Sequence, residues 1–174
     1  MNPDAEGVGT GSWVVVALGS NLGDSAGMLR RAMERLQGLS ASDLLRSSLW
    51  RSDPVDCPPG SPPFVNAVVA FMPRAEETPE SLLTKLQQIE KEFGRRPKRL
   101  INEPRPLDLD LIAFGGEVRK TKDLALPHPR AHLRRFVLAP LNEILPAYRL
   151  PGQEQAVSEL LARLPEDRSV AKLA

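Results

Sequence analysis

Cysteine is almost missing from this chain: Cys57 stands alone among 174 residues. No internal disulfide can form, and a cysteine-based zinc site has nothing to build on. Long apolar runs are missing too. The longest, Trp13 to Leu18, is strand-sized and far short of a spanning helix. Neither sign of charge dominates, since 23 basic against 22 acidic residues leave a formal net charge of +1. That balance offers no global case for nucleic-acid binding. Aromatics are only 5% of the chain, with one tyrosine, too few for the interleaved platform of an RNA-binding sheet. Nucleotide signatures are absent as well: GSNLGD at Gly19 to Asp24 lacks the spacing and the lysine of a Walker A loop. Kinase-type glycine-loop and HRD signals are also absent. Residues 1–12 read as a loose tail without the basic start and apolar segment of a secretory signal, so a cytoplasmic protein is expected. The rest, 13–174, reads as one domain, long enough to bury a core and 41% apolar overall.

What is present is organised. Trp13 to Leu18 predicts a buried first strand, because its valines favour extended backbone. GSNLGD turns the chain into a helix capped by Asp24 or Ser25, with Leu29, Ala32, Met33 and Leu36 as its stripe and Gly38 as its stop. Residues 44–51 predict a second strand of poor alternation, and the prolines from Asp53 to Pro63 predict a long surface loop. In the next strand, Pro63 to Phe71, Val65, Ala67, Val69 and Phe71 share one side and Phe64, Asn66, Val68 and Ala70 the other. Thr78-Pro79 opens a second helix with stripe Leu82, Leu83, Leu86, Ile89 and Phe93, stopped by Gly94. A basic, proline-containing loop (95–106), a strand from Leu107 to Phe114 and a short return strand near Val118 follow. Helices are predicted around Ala131 to Leu138 and Glu154 to Leu164. The order β-α-β-β-α-β with a C-terminal helical extension predicts an α+β, ferredoxin-like sandwich: a mixed or antiparallel sheet with helices on one face. A doubly wound sheet is the alternative, weakened by the direct succession of the second and third strands.

The chemistry concentrates in RPLDLDLIAF, Arg105 to Phe114. Leu107, Leu109 and Leu111 alternate with Asp108 and Asp110, so an apolar face opposes a face with two carboxylates about 6.6–6.8 Å apart along the strand. Buried bare, such a pair is very unfavourable. Beside divalent cations or arginine it handles phosphate; on a solvated outer face it is only amphipathic patterning. Its context is basic: Lys91, Arg95, Arg96, Lys98, Arg99 and Arg105 lie upstream, and Arg130, His132, Arg134 and Arg135 downstream. Carboxylates flanked by cations suit phosphoryl chemistry with Mg²⁺, and Arg95 and Arg105 are the best-placed cations. Phe64 could stack on a flat ring whose edge Asn66 would read, although a core phenylalanine with a turn-proximal asparagine explains the pair as well. Gln87 and Glu90 share one side of a helix, which ordinary surface polarity also explains. His128, between two prolines, reaches a phosphate or caps a turn, and Phe136 is core unless a ring site adjoins it.

In collinear blocks from about residue 13 to 150, the chain resembles 6-hydroxymethyl-7,8-dihydropterin pyrophosphokinases. The blocks are VALGSNLGD (16–24), FVNAVVAF (64–71), LLTKLQQIEKEFGR (82–95), PRPLDLDLIAFG (104–115) and LPHPRAHLRRFVLAPLNEILP (126–146). The resemblance implies a ferredoxin-like fold and transfer of pyrophosphate from ATP to the pterin hydroxymethyl group, releasing AMP, in folate biosynthesis. It implies two Mg²⁺ ions on Asp108 and Asp110, and Arg95 and Arg105 beside the transferring phosphates. It also implies a pterin site of Ser52, Val55, Phe64, Asn66 and Phe136, with Phe64 replacing a common tyrosine. Gln87, Glu90, Leu111, His128 and Arg134 fall on nucleotide-site positions. The partners implied are these two small molecules, with no nucleic acid or membrane, and a monomer is expected with a dimer as the alternative.

Three departures from the family pattern stand out. Asn102 replaces a loop tryptophan. Pro97 replaces a loop arginine for which Arg96 or Arg99 could stand in. Asp123 and Ala125 replace nucleotide contacts. The rival functions are an inactive pterin- or nucleotide-binding module, which would be expected to lose the carboxylates, and a ferredoxin-like nucleic-acid-binding domain.

Overall fold

The computed structural model describes residues 13–97 and 100–173; the 1–12 tail and Arg99 lie outside them. β1 (Val14–Ser20) leads into α1 (Ser25–Gln37), whose N-cap Asp24 accepts a hydrogen bond from the Gly27 amide at 3.1 Å. β2 (Leu45–Arg46), β3 (Trp50–Ser52) and β4 (Phe64–Phe71) precede α2 (Pro79–Glu92). α2 is capped by Thr78, with Pro79 where a missing amide does no harm. β5 (Asp108–Phe114) follows, then the ribbon of β6 (Arg119–Lys120) and β7 (Ala125–Leu126). A short 3-10 turn (Ala131–Leu133), α3 (Arg135–Ile144), α4 (Val157–Arg163) and β8 (Ala171–Lys172) complete the chain.

Among the described residues the main sheet runs β5-β1-β4-β3-β8, with β2 also on β4, and every pairing is antiparallel. This is an α+β architecture. No described helix is long and apolar enough to cross a membrane.

Helices cover both faces of the sheet, which corrects the one-face expectation. Val14, Val16, Leu18, Ala67, Val69 and Phe71 pack with α1 and α2, while Val15, Val68, Ala70 and Ile112 pack with α3 and α4. Both sides of β1 and β4 are therefore apolar along most of their length, as strands buried on both faces must be. α3 is rich in apolar residues, with Val137, Leu138 and Leu141 buried, so it joins the core rather than extending it.

Three further corrections follow from local chemistry. The strand expected over 44–51 is split, because at Ser47 the side-chain hydroxyl, not the backbone carbonyl, accepts the Val68 amide at 2.9 Å. The helix expected from Ala131 begins at Arg135, after the 3-10 turn. The C-terminal extension is not purely helical: β8 closes the exposed edge of β3.

Candidate active site

The in-register pairing of β4, β1 and β5 sets the site. Gly19 lies opposite Asn66 on one side and Asp108 on the other, and Ala17 lies opposite Val68 and Asp110. Residues paired across antiparallel strands face the same way, so Asn66, Asp108 and Asp110 all emerge on the α3 side. α3 and α4 bury the middle of that face, where Val68, Ala70 and Ile112 are 0–1% exposed. Beyond them the sheet turns polar and a cleft of about 820 Å³ opens. A β-bulge between the pairs of Val15 and Val16 shifts the alternation of β5. It puts Ala113 on the same core as Ile112 and returns Phe114 to the core of Leu109 and Leu111.

The cleft gathers Ser52, Val55, Phe64, Asn66, Arg95, Arg105, Asp108, Asp110, His128, Arg134 and Phe136, all anticipated from sequence. At one end Asn66 Nδ2 donates to Ser52 Oγ at 2.8 Å, and both residues are buried. This bond fixes the amide orientation and directs its oxygen elsewhere. Phe136 does two jobs, packing against the second core and lining the cleft. The guanidiniums of Arg105 and Arg134 lie 5.8 and 5.5 Å from the ring centres of Phe64 and Phe136, within cation–π range.

At the other end Asp108 is clamped. Its Oδ1 accepts from Arg95 Nη1 at 2.7 Å and its Oδ2 from Arg105 Nη1 at 3.3 Å. Arg95 is itself braced by Glu90, whose Oε2 also accepts the Leu109 amide at 2.9 Å. Burial, the largest influence on Glu90, raises its pKa, opposed by that amide and by Arg95. Arg105 Nε is buried with no partner among the described residues, a donor directed at nothing the protein supplies.

Asp110 differs from its neighbour. It has no hydrogen bond or ion pair among the described residues. Burial first, then the charges of Asp108 and Glu90, push its pKa up to about 7, against the pull of Arg134 and Arg105. His128 is held below the usual imidazole range by burial and by Arg134 and Arg130. Its Nδ1 accepts the Arg130 amide at 3.2 Å, so the neutral ring carries its proton on Nε2.

The donor set fits magnesium. Asp108 and Asp110 supply hard oxygens, and no cluster of three metal-ligating side chains occurs among the described residues. A carboxylate pair without a full protein cage matches the way Mg²⁺ is held, with phosphates and water completing its shell. A cation bound beside Asp110 would offset the burial and the neighbouring carboxylates that raise its pKa.

Three expected nucleotide residues stand elsewhere. Gln87 is exposed on α2 and does not line the cleft. Glu90 is 7% exposed and works behind Arg95, and the Leu111 side chain is core. Asp123 and Ala125 are exposed away from the cleft, and Arg96 lines a separate depression beside the 95–106 loop. Sequence reasoning missed Asn21. It is 2% exposed, accepts the Arg105 amide at 2.9 Å, donates its own amide to the Arg105 carbonyl at 3.1 Å, and reaches the Pro62 carbonyl at 3.3 Å. One buried asparagine thus ties the loop after β1 to both functional loops. The available signal was a polar residue directly after a buried strand.

Comparison with known proteins agrees with this geometry. The chain is 36% identical over 156 residues to the 2-amino-4-hydroxy-6-hydroxymethyldihydropteridine pyrophosphokinase of Haemophilus influenzae, covering 89% of this chain and 94% of that one. It is 39% identical over 153 residues to the enzyme of that name from Pseudomonas aeruginosa, covering 87% and 91%. In fold it matches a Plasmodium falciparum HPPK-DHPS chain crystallised with pteroate, with a TM-score of 0.67 at 14% identity, covering 87% of this chain and 42% of that longer one. The family model for 7,8-dihydro-6-hydroxymethylpterin-pyrophosphokinase (HPPK) matches residues 15–146, which contain every cleft residue anticipated above. The chain belongs to that family, and it is an enzyme of Mg-ATP-dependent pyrophosphoryl transfer to a dihydropterin.

Proposed function

We propose that the Ser52–Asn66 end of the cleft holds the 6-hydroxymethyl-7,8-dihydropterin ring and the Asp108–Asp110 end holds the triphosphate of ATP. The observation that carries this reading is the in-register row Asn66–Gly19–Asp108. Two strand spacings, about 9.4–9.8 Å, separate its outer columns. A flat bicyclic molecule gripped by its edge at Asn66 therefore projects its far substituent toward Asp108, and Gly19 between them leaves room for it. Phe64 and Phe136 supply the faces and Ser52 and Asn66 the edge contacts, with backbone groups near Val55 completing them.

The reaction is an in-line displacement. The hydroxymethyl oxygen forms a bond to the β-phosphorus and gives up its proton to solvent, the bond from that phosphorus to the oxygen bridging the α- and β-phosphates breaks, and AMP leaves with the electron pair. Arg95 and Arg105, fixed on Asp108, place positive charge where negative charge spreads, and that charge is already oriented before reaction. Two Mg²⁺ ions held by Asp108 and Asp110 would neutralise the triphosphate and polarise its phosphoryl oxygens. His128 Nε2–H and Arg134 offer donors to the nucleotide. Asn21 keeps the Arg105 loop in register with β1, so these groups arrive pre-positioned. In fold terms the antiparallel order of β5, β1, β4 and the split β2/β3 supports the ferredoxin-like βαββαβ description.

Product analysis tests the reading. With ATP, Mg²⁺ and the dihydropterin, each turnover should yield AMP and a diphosphorylated pterin; ADP with no AMP would overturn it.

A further inference from the structure

The family match ends at residue 146, yet Leu164, Pro165, Glu166, Asp167 and Val170 also line the cleft. This segment is held at both ends. At the first, the Arg135 guanidinium donates to the Leu164 carbonyl at 3.1 Å and to the Pro165 carbonyl at 3.0 and 3.2 Å. Arg135 opens α3 and is followed by Phe136, so a single helical turn carries the clamp and a ring of the cleft. At the second end, β8 pairs with β3 and the Leu173 amide donates to the Leu49 carbonyl at 2.9 Å. There Lys172 Nζ sits 3.4 Å from Glu143 Oε2 and 5.6 Å from the centre of the Trp50 ring. Between the anchors, Ser169 Oγ accepts the Asp53 amide at 3.4 Å, next to Ser52. The chain therefore crosses from the Phe136 side of the cleft to the Ser52 side.

Charge distinguishes this wall from the opposite one. Arg95, Arg105, Arg130 and Arg134 gather around the aspartates, whereas the strap brings Glu166 and Asp167 to the cleft beside Arg135, with Arg168 also in the segment. A polyanion is drawn more strongly to the first end than to the second, where charge is mixed, while an uncharged planar ring is indifferent to the difference.

We propose that residues 164–170 form the outer wall of the acceptor half of the cleft, and that Arg135 is the positioning residue that sets it. The strap fixes the slot between Phe136 and Ser52 and reserves it for an uncharged planar acceptor, without contributing to nucleotide binding. This rests on the assignment of Phe136 and Ser52 to the pterin.

Two full-length variants release one end each. Arg135→Gln breaks the clamp, and Leu173→Pro, outside the cleft, deletes the amide bonded to Leu49. Amide exchange across 164–173 reports release, and calorimetry gives the Kd of the dihydropterin and of a non-hydrolysable ATP analogue. Faster exchange, dihydropterin binding weakened roughly ten-fold, and analogue binding changed by less than about two-fold are expected. Turnover at saturating pterin should persist, so the loss appears in KM rather than kcat. Released straps with unchanged pterin affinity, equal losses for both ligands, or unchanged exchange in both variants would each overturn the proposal. If the unaltered protein failed to bind the dihydropterin, the acceptor assignment itself would fall; normal binding there with unaffected variants refutes the strap alone.

Discussion

Replacing Asp110 by asparagine should stabilise the metal-free protein at neutral and alkaline pH. The Asp110 carboxyl is pushed from an ordinary 3.8 up to about 7, first by burial and then by the charges of Asp108 and Glu90. A raised folded-state pKa means the native protein holds this proton more tightly than the unfolded chain does. The associated stability is complete below about pH 4 and is lost as the pH climbs through 7. At about 1.4 kcal/mol per pH unit the full linkage value is about 4.5 kcal/mol. Water reaches this partly exposed side chain, so the measured difference should fall between about 2 and 4 kcal/mol. Asparagine keeps the size and removes the charge. Urea unfolding of both proteins in chelator from pH 5 to 8.5 provides the assay. The difference between them should be smallest at pH 5, widen up to about pH 7 and then level off. Taking the difference cancels the titration of shared groups that do not interact with Asp110. Parallel pH profiles, or an asparagine variant that is the less stable at pH 8, would refute the account of Asp110 as an unpaired carboxylate awaiting a cation.

Asp108→Asn should behave oppositely in stability while also abolishing turnover, because Asp108 anchors Arg95 and Arg105. Losing charge-assisted bonds of this kind lowers stability by about 1.5–3 kcal/mol, readable in the same urea assay at pH 7.5. Gly19→Ala would place a methyl 3.6 Å from Phe64 Cδ1 and 3.7 Å from Asn66 Oδ1, an ordinary contact for the protein. The melting temperature should therefore hold or rise while calorimetry shows dihydropterin affinity falling by about ten-fold or more, because the methyl fills the floor between the two ends of the site. Tyr148→Phe should raise the melting temperature: the hydroxyl is buried without a partner among the described residues, and burial pushes its pKa up to about 12. An unsatisfied buried polar group is unfavourable by about 1–3 kcal/mol, and thermal unfolding would show its removal.

The contrast between the two aspartates shows where sequence reasoning stops. Treated as one like-charge pair, they look like a shared liability that either substitution would relieve. The structure separates them. Asp108 is paired with Arg95, 13 positions upstream, and with Arg105, whereas Asp110 has neither partner.

What the sequence determined by itself was local and periodic. Alternation along Phe64–Phe71 assigned Asn66 and Val68 to one face and Val65, Ala67 and Val69 to the other. Thr78-Pro79 began α2 where its capping chemistry required, and the proline run kept 53–63 out of the sheet. Such features depend on backbone preferences within a few residues, so a short window contains their cause. Only the tertiary structure decided which carboxylate is paired, how the bulge in β5 redirects Ala113 and Phe114, and that α3 covers the second face. The Asn21–Arg105 bonds span 84 positions, and the strap reaches Asp53 from Ser169 across 116. Contacts of that length carry no periodic signal. They exist because strand pairing brings distant loops to one end of the sheet, where buried polar groups must find whatever partners the fold has placed nearby.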